Sequence, residues 1–308
     1  MTKIIIGIPT FKRPEGLSRL LLSLEKINIS FDVHFLVADN EGVQGHGHSV
    51  VSKMASSYTY PLSVISVPER GISNVRNSIM NHAFETLDAD MLAMIDDDEV
   101  VESNWLLELV KMQQQTNADV VGGQVKPEFE KVAPAWTDGL GLYWRAVYPD
   151  GLIDLIEGTT SVLLNRSVRD NFPNIKFDIA YGLTGGGDKE FFTRLKNKGA
   201  TFAFSSKSIS HEFFGESRMT KEWAMQRAYR IGSAELRIKK LHENSYVIYF
   251  SIIKAFIAIT YLYIRCFSSY TVRKETFHFQ LKQQRQKGKL TGFFGSPLVN
   301  TYKKIHGK

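Results

Sequence analysis

Cysteine is almost absent: Cys266 stands alone in 308 residues. An intrachain disulfide is therefore excluded, and such thiol usage suits a reducing compartment. The chain also lacks low-complexity stretches and internal repeats, which removes disordered chains and solenoids. No apolar run reaches bilayer length without interruption: the window 246–264 is broken by Ser251, Lys254 and Thr260. Met1-Thr2-Lys3 leads at once into strand-forming residues, so no cleaved signal peptide is expected. A net positive charge is missing from most of the chain. The formal charge is +6, yet residues 265–308 hold ten Lys/Arg against Glu275 alone, a net +9. The first 264 residues therefore carry −3. This distribution speaks against a nucleic-acid-binding core and predicts a basic C-terminal attachment.

What is present is a chain with 43% hydrophobic residues, enough for one large domain or two smaller ones. Residues 3–8 read as a strand. Residues 16–27 read as a helix, with Leu17, Leu20, Leu21, Leu24 and Ile27 on one stripe. Strands at 33–38, 62–67 and 90–95 alternate with a looser helix and a helix at 71–87. Such alternation predicts a parallel, three-layer α/β sheet. Further on the pattern is mixed. Strands are expected at 120–121, 161–164 and 201–204, and helices at 188–198 and 220–241. Residues 127–158, rich in Pro, Trp, Tyr and Gly, read as a long functional loop. A domain boundary is expected near 242, giving 1–242 as a catalytic domain and 243–308 as a helical, basic extension.

Four carboxylates, Asp96-Asp97-Asp98-Glu99, directly follow the apolar run 91–95. That run reads as a buried parallel strand because both its faces are apolar. Adjacent ionised carboxylates repel and raise one another's pKa. A divalent cation, which prefers hard oxygen ligands, relieves the repulsion. The carboxyl end of such a strand is also where ligands bind in open α/β sheets. The plainer alternative is a solvated turn capping the next helix from Ser103.

Other segments gain meaning from their order. Pro9-Thr10-Phe11-Lys12-Arg13-Pro14 closes the first strand, where Thr10 can face a ligand and Arg13 can reach a phosphate. Asp39 ends the second strand. Gly71-Ile72-Ser73-Asn74-Val75-Arg76-Asn77 opens a helix whose N-terminus and Arg76 favour an anion. Gly185-Gly186-Gly187-Asp188 places a carboxylate at another helix N-terminus.

This succession resembles the family 2 glycosyltransferases with the GT-A fold, a Rossmann-like, mainly parallel mixed sheet flanked by helices. The resemblance covers about residues 3–235 and looks strongest to bacterial enzymes of succinoglycan and surface-polysaccharide type. It matches Asp96-Asp97-Asp98 to the family's Asp-x-Asp motif. It implies that Pro9, Thr10, Arg13, Asp39, Arg76, Asp96 and Asp97 bind the nucleotide-sugar, and that Asp98 holds a divalent metal, Mn²⁺ or Mg²⁺. It implies that Asp188 is the catalytic base. The family usually has Glu-Asp there; this chain has Gly187-Asp188, with Glu190 as a substitute acid. His211 corresponds to a metal or diphosphate ligand of several GT-A enzymes. Gln226-Arg227-Ala228-Tyr229-Arg230 departs from the Gln-x-x-Arg-Trp element of processive synthases, which favours addition of single sugars. Arg227 or Arg230 can bind a diphosphate of donor or acceptor. Trp136, Trp144, Tyr143 and Tyr148 suggest an acceptor loop that stacks on sugar rings, or ordinary packing.

As a helix, 246–264 would span about 28 Å, near the thickness of a bilayer core. Lys254 and Arg265 fall within about 20° of one another, with Ser251 and Tyr261 near the same face. Ile248, Ile252, Phe256, Ile259 and Tyr263 cover the other side. A helix lying in the membrane interface is the expectation, ahead of a single span or a buried helix. The whole reading is an inverting transferase moving a sugar from a nucleotide-diphospho-sugar, UDP by default, to a saccharide or lipid-linked saccharide acceptor. It would act peripherally at the cytoplasmic face of the cell membrane, whose anionic surface attracts the basic tail. The rival from another class is a catalytically inactive, membrane-docked nucleotide-sugar-binding or scaffold protein. A nucleotidyltransferase is disfavoured because no Gly-rich phosphate loop follows the first strand.

Overall fold

The computed structural model describes residues 1–268 and 273–294. Residues 295–308, part of the basic tail, and 269–272 lie outside the described residues. The chain begins β1 (Lys3–Thr10), α1 (Pro14–Leu24), β2 (Asp32–Asp39), α2 (His46–Met54), β3 (Leu62–Ser66) and α3 (Ile72–Asn81). A π turn at His82–Thr86 continues α3. Then come β4 (Met91–Met94), β5 (Glu99–Val101), α4 (Trp105–Thr116), β6 (Val120–Phe129), β7 (Gly151–Ile153), β8 (Val162–Asn165) and α5 (Ser167–Asn171). The remainder is α6 (Gly187–Asn197), β9 (Phe202–Phe214), α7 (Lys221–His242), α8 (Ser245–Ser268) and α9 (Arg273–Phe294).

The strands form one mixed sheet in the order β3-β2-β1-β4-β8-β6-β9-β5, with β7 paired to β9. β3, β2, β1 and β4 are mutually parallel, while β8 runs antiparallel to both β4 and β6. The carboxyl ends of β1, β2 and β4 therefore lie at the same end of the sheet, which is where Thr10, Asp39 and the carboxylate run are found. Helices cover both faces. On one side α1 buries Leu17, Leu20, Leu21 and Leu24 beside Trp105 of α4. Each such leucine contributes about 1.5–3 kcal/mol by leaving water. On the other side Val75 and Ile79 of α3 pack with Phe191, Phe192 and Leu195 of α6.

Several boundaries differ from expectation. β9 is a 13-residue strand, not a short one ending at 204. Its pairing with β6 shifts register between Gly123 and Gln124, where residues 206–208 have no partner on β6. The bulge interrupts alternation in the sequence and hides the strand's continuation. Residues 127–158 are correspondingly less irregular, since β6 runs to Phe129 and β7 occupies Gly151–Ile153. The helix after the carboxylates starts behind Asn104 rather than Ser103.

The C-terminal helices fold back. Gly288 and Gly292 of α9 lie against Tyr229 and Ser233 of α7 so closely that a Cβ at Gly288 would collide with the Tyr229 carbonyl oxygen. α8 packs chiefly on α9. Ile252, Ala255 and Leu262 are buried, whereas Ile253, Phe256, Ile257, Tyr263 and Ile264 are exposed. The apolar side expected to cluster around Ile248, Ile252 and Phe256 is thus divided, with Ile252 buried and Phe256 exposed.

Candidate active site

A cavity of about 580 Å³ opens at the carboxyl ends of the parallel strands. It brings together Pro9, Thr10, Arg13, Arg76, Asp96, Asp97, Asp98, Asp188, Arg227 and Arg230. These residues span more than 200 positions of sequence and come from four elements and the loops after them.

The carboxylate run is a tight turn whose three Asp side chains diverge. Asp97 points back into the protein: Thr10 Oγ1 donates to its Oδ2 at 2.9 Å and Arg13 Nη1 to its Oδ1 at 2.9 Å. Gly16 is required beneath it, since a Cβ there would stand 2.5 Å from the Asp97 carbonyl oxygen. Asp98 sits between two guanidiniums, with Arg13 Nη1 at 2.9 Å and Arg218 Nη2 at 2.6 Å from Oδ2. Burial pushes the Asp98 carboxyl up, but Arg218 and Arg13 outweigh it and hold the group well below the usual range. Asp96 behaves oppositely. Burial, with Asp98, Asp188 and Asp97 nearby, outweighs Arg76 and lifts it to about 6. Burial likewise raises Asp97.

Asp188 lies in the first turn of α6, which the glycines before it make possible. Gly185 and Gly186 have φ of +79° and +90°. A Cβ on Gly186 would approach the Ala234 Cβ to 2.6 Å, so α7 closes over this loop only because no side chain intervenes. Arg76 Nη1 donates to Asp188 Oδ1 at 2.6 Å and its Nη2 to Asp96 Oδ1 at 3.3 Å. The Thr159 hydroxyl donates to Asp188 Oδ2 at 3.1 Å.

Four expected site residues are not brought into this constellation. Asp39 is fully buried, its oxygens accepting the backbone amides of Glu41 at 2.9 Å and His48 at 3.0 Å. The loop after β2 has closed over it, with Gly45 and Gly47 against its carboxylate. His211 is turned from the carboxylates by strand alternation. Its Nε2 meets Glu102 Oε1 at 3.1 Å, while neighbouring Glu212 lines the cavity. Trp136 packs edge-on against Tyr143 and Phe277, with ring centres 6.2 and 5.0 Å away, and does not line the cavity. Glu190 cannot replace a missing acid beside Asp188, because it is buried under α6 with Arg194 and His242.

Other residues carry more of the site than the sequence suggested. Arg70 stacks over Phe11, its guanidinium carbon 3.7 Å from the ring centre. Arg145 Nη2 donates to Glu212 Oε2 at 2.7 Å, and Arg218 Nη1 lies 3.7 Å from Glu212 Oε1. The Arg227 Nε is buried without a hydrogen-bond acceptor. Burial, together with Arg230, Arg145 and Arg218, lowers the Arg227 guanidinium to about 10 despite Glu212. Arg285 of α9 completes the wall. None of these belongs to a compact motif. Only the arginine content of 218–230 was a signal.

Among the described residues, no group of three or more His, Cys, Asp or Glu stands ready to hold a metal by itself. Asp96 and Asp98 nevertheless offer hard oxygen donors, and mutual repulsion with burial raises Asp96. That donor set fits Mg²⁺ or Mn²⁺, which take one or two carboxylates and complete their shell with phosphate and water.

The chain is similar to known proteins in sequence and in shape. It is 29% identical over 238 residues to the succinoglycan biosynthesis protein ExoM of Rhizobium meliloti (strain 1021), covering 76% of this chain and 74% of that protein. The mannosyltransferase PcManGT from Pyrobaculum calidifontis, solved with GDP-Man and Mn²⁺, superposes with a TM-score of 0.65 at 12% identity, over 96% of this chain and 88% of that one. S. aureus TarS 1–349 in complex with UDP-GlcNAc gives 0.54 at 14% identity, over 100% and 99%. These structures share the GT-A fold. The sequence profile of glycosyl transferase family 2 matches residues 5–168, more than half of the chain. The chain belongs to glycosyl transferase family 2 and is a glycosyltransferase.

Proposed function

We propose that this enzyme transfers a single sugar, with inversion at the anomeric carbon, from a nucleotide-diphospho-sugar to a saccharide acceptor during assembly of a surface polysaccharide. The observation that carries the reading is the meeting of Asp188 with Asp96 and Asp98 in one cavity, Arg76 bridging Asp188 to Asp96. The relation to ExoM supports polysaccharide assembly. The UDP-GlcNAc and GDP-Man complexes of structural neighbours support a nucleotide-sugar donor, with UDP as the default.

In this reading the nucleoside lies beside Pro9, Thr10 and the Phe11–Arg70 pair. Asp96 and Asp98 hold a divalent cation, Mg²⁺ or Mn²⁺, which when bound neutralises the leaving diphosphate. Arg13, Arg76 and Arg218 add fixed positive charge around that position. Asp188 accepts the proton of the acceptor hydroxyl as its oxygen attacks the anomeric carbon. The attacking oxygen forms its bond as the glycosidic bond to the diphosphate breaks, so configuration inverts. Arg76 and the Thr159 hydroxyl fix the two oxygens of Asp188 for this task.

The acceptor in this reading is a lipid-linked saccharide at the cytoplasmic face of the membrane. Helix α8 is long and apolar enough to cross a membrane, and most of its surface is exposed. Lys254 near its centre disfavours a span, and α9 occupies one side, so we assign it an interfacial position. Residues 1–242 carry the chemistry and 243–308 the attachment, with α9 serving both through Arg285. The test is a panel of nucleotide-sugars with the purified protein and Mn²⁺, scoring binding and turnover. Metal-dependent binding and transfer from one donor is the expected result; no binding to any donor overturns the reading. Binding without turnover, even with lipid-linked acceptor added, would leave a sugar-nucleotide-binding protein.

A further inference from the structure

Of the four aromatic residues that 127–158 offers to a sugar ring, Tyr148 keeps that possibility in the folded chain. Tyr143 is 1% exposed, and its hydroxyl donates to the Arg218 carbonyl oxygen at 2.8 Å. Trp136 packs on Phe277, and neither it nor Trp144 lines the cavity. Tyr148 does line it, and remains 36% exposed.

The position of Tyr148 is set from β9. Its ring meets that of Phe204 with centres 5.3 Å apart and planes at 73°. An edge contact of this kind leaves at least one face of the Tyr148 ring uncovered by Phe204. Just beyond, Asp150 Oδ1 accepts the Ser206 backbone amide at 2.6 Å, and β7 pairs with β9. A short chain of contacts leads from this ring to the proposed base. Phe204 and Ile156 lie together over Gly122, 3.6 and 2.9 Å from where a Cβ would stand. Further along the same segment, the Thr159 hydroxyl donates to Asp188 Oδ2 at 3.1 Å. The charged side chains these segments contribute are matched, Glu157 with Lys189 at 2.6 Å and Arg145 with Glu212 at 2.7 Å. An open aromatic face bordered by matched charges suits an uncharged ligand with one apolar face. A pyranose has such a face, formed by its axial C–H groups.

We propose that Tyr148 and the segment 156–160 form an acceptor subsite, in which a neutral pyranose ring of the acceptor saccharide stacks on Tyr148 while a hydroxyl of that saccharide reaches Asp188. This rests on the reading of Asp188 as the base, which fixes the acceptor end of the cavity. Tyr148 is then a specificity residue for the acceptor, and the class it selects is an uncharged sugar.

The experiment is saturation-transfer NMR on the full chain, saturated with UDP (or GDP) and Mn²⁺. The probes are methyl glycosides of glucose, galactose, mannose and N-acetylglucosamine, with methyl glucuronide as the charged comparison. The expected result is saturation of the ring C–H protons on one face of at least one neutral glycoside. Affinity should fall about threefold to tenfold in Tyr148→Leu, which keeps apolar bulk against Phe204, and be kept in Tyr148→Phe, with nucleotide affinity retained in both. Equal affinity in Tyr148→Leu would place the sugar elsewhere in the cavity and overturn the proposal. Loss in both variants would assign the contact to the hydroxyl and overturn stacking. Methyl glucuronide bound about tenfold tighter than every neutral glycoside would overturn the neutral class. No glycoside binding while nucleotide binds overturns the subsite. Failure of nucleotide binding would instead count against the transferase reading. In that case Tyr148-dependent glycoside binding is measured without nucleotide, and its absence overturns the subsite as well.

Discussion

Arg76 and Asp188 lie 112 positions apart in sequence, and the Arg76 Nη1 donates to Asp188 Oδ1 at 2.6 Å. Arg76 is anchored in α3 and Asp188 at the start of α6, helices packed on the same face of the sheet. The same guanidinium reaches Asp96 at 3.3 Å. One buried cation thus ties the carboxylate turn after β4 to the proposed base.

The other oxygen of Asp188 depends on Thr159. A hydrogen bond to a charged group contributes about 1.5–3 kcal/mol. Thr159→Val is expected to lower kcat roughly tenfold to a hundredfold while donor Kd stays within about threefold, and Thr159→Ser is expected to restore most of the rate. Steady-state kinetics with donor titration separates these outcomes. A proportional loss of donor affinity would show that Thr159 shapes the pocket instead.

Stability should respond to pH and metal together. The Asp96 carboxyl is lifted from 3.8 to about 6, and Glu99, fully buried beside it, is raised too, burial being the first cause in both. A raised carboxyl favours the folded state in its protonated form. That stabilisation is complete below about pH 4 and is lost as pH rises through about 6. A divalent cation needs the ionised form. The Tm gain on adding Mn²⁺ is therefore expected to be small at pH 5 and several degrees at pH 7.5. Thermal unfolding across that range checks it, and a gain independent of pH would contradict it.

The α7–α9 contact is unusually sensitive to volume. Gly288→Ala places a methyl group against the Tyr229 carbonyl oxygen. Overpacking of this kind costs about 1–3 kcal/mol. The expected result is a Tm lower by several degrees, with reduced activity because Arg285 shifts with α9. An unchanged Tm would mean that α9 does not hold this position in solution.

Membrane association is best tested on the exposed face of α8. Removing everything after 242 would also strip α9 from α7, so a truncation would confound folding with docking. Substituting Ile253, Ile257 and Ile264 by Ser should leave the fold intact and release the protein from anionic vesicles in flotation. Undiminished flotation would exclude this face as the docking surface.

Much of the fold was legible because alternation and leucine spacing were strong in the first hundred residues. The carboxylate turn, the Pro9–Thr10 edge and the glycines before Asp188 were local enough to read, and they do converge. What was not legible depended on long-range pairing. The bulge at 206–208 breaks the alternation that would carry β9 on to Phe214, so which face His211 takes is not legible locally. Asp39 ends its strand as expected, but closure of the following loop is not encoded in any short pattern. Arg145 and Arg285 reach the cavity, and Thr159 reaches Asp188, from a loop or a distant helix, and only the folded chain reveals them.

The most direct test of the account is Asp188→Asn, measured for sugar transfer and for donor affinity in the same preparation. Loss of a positioned base predicts a fall in transfer of about 10²–10⁴-fold, with donor affinity nearly unchanged. Near-normal transfer, or loss of donor binding in a protein that remains folded, would contradict the role of Asp188 and the mechanism built on it.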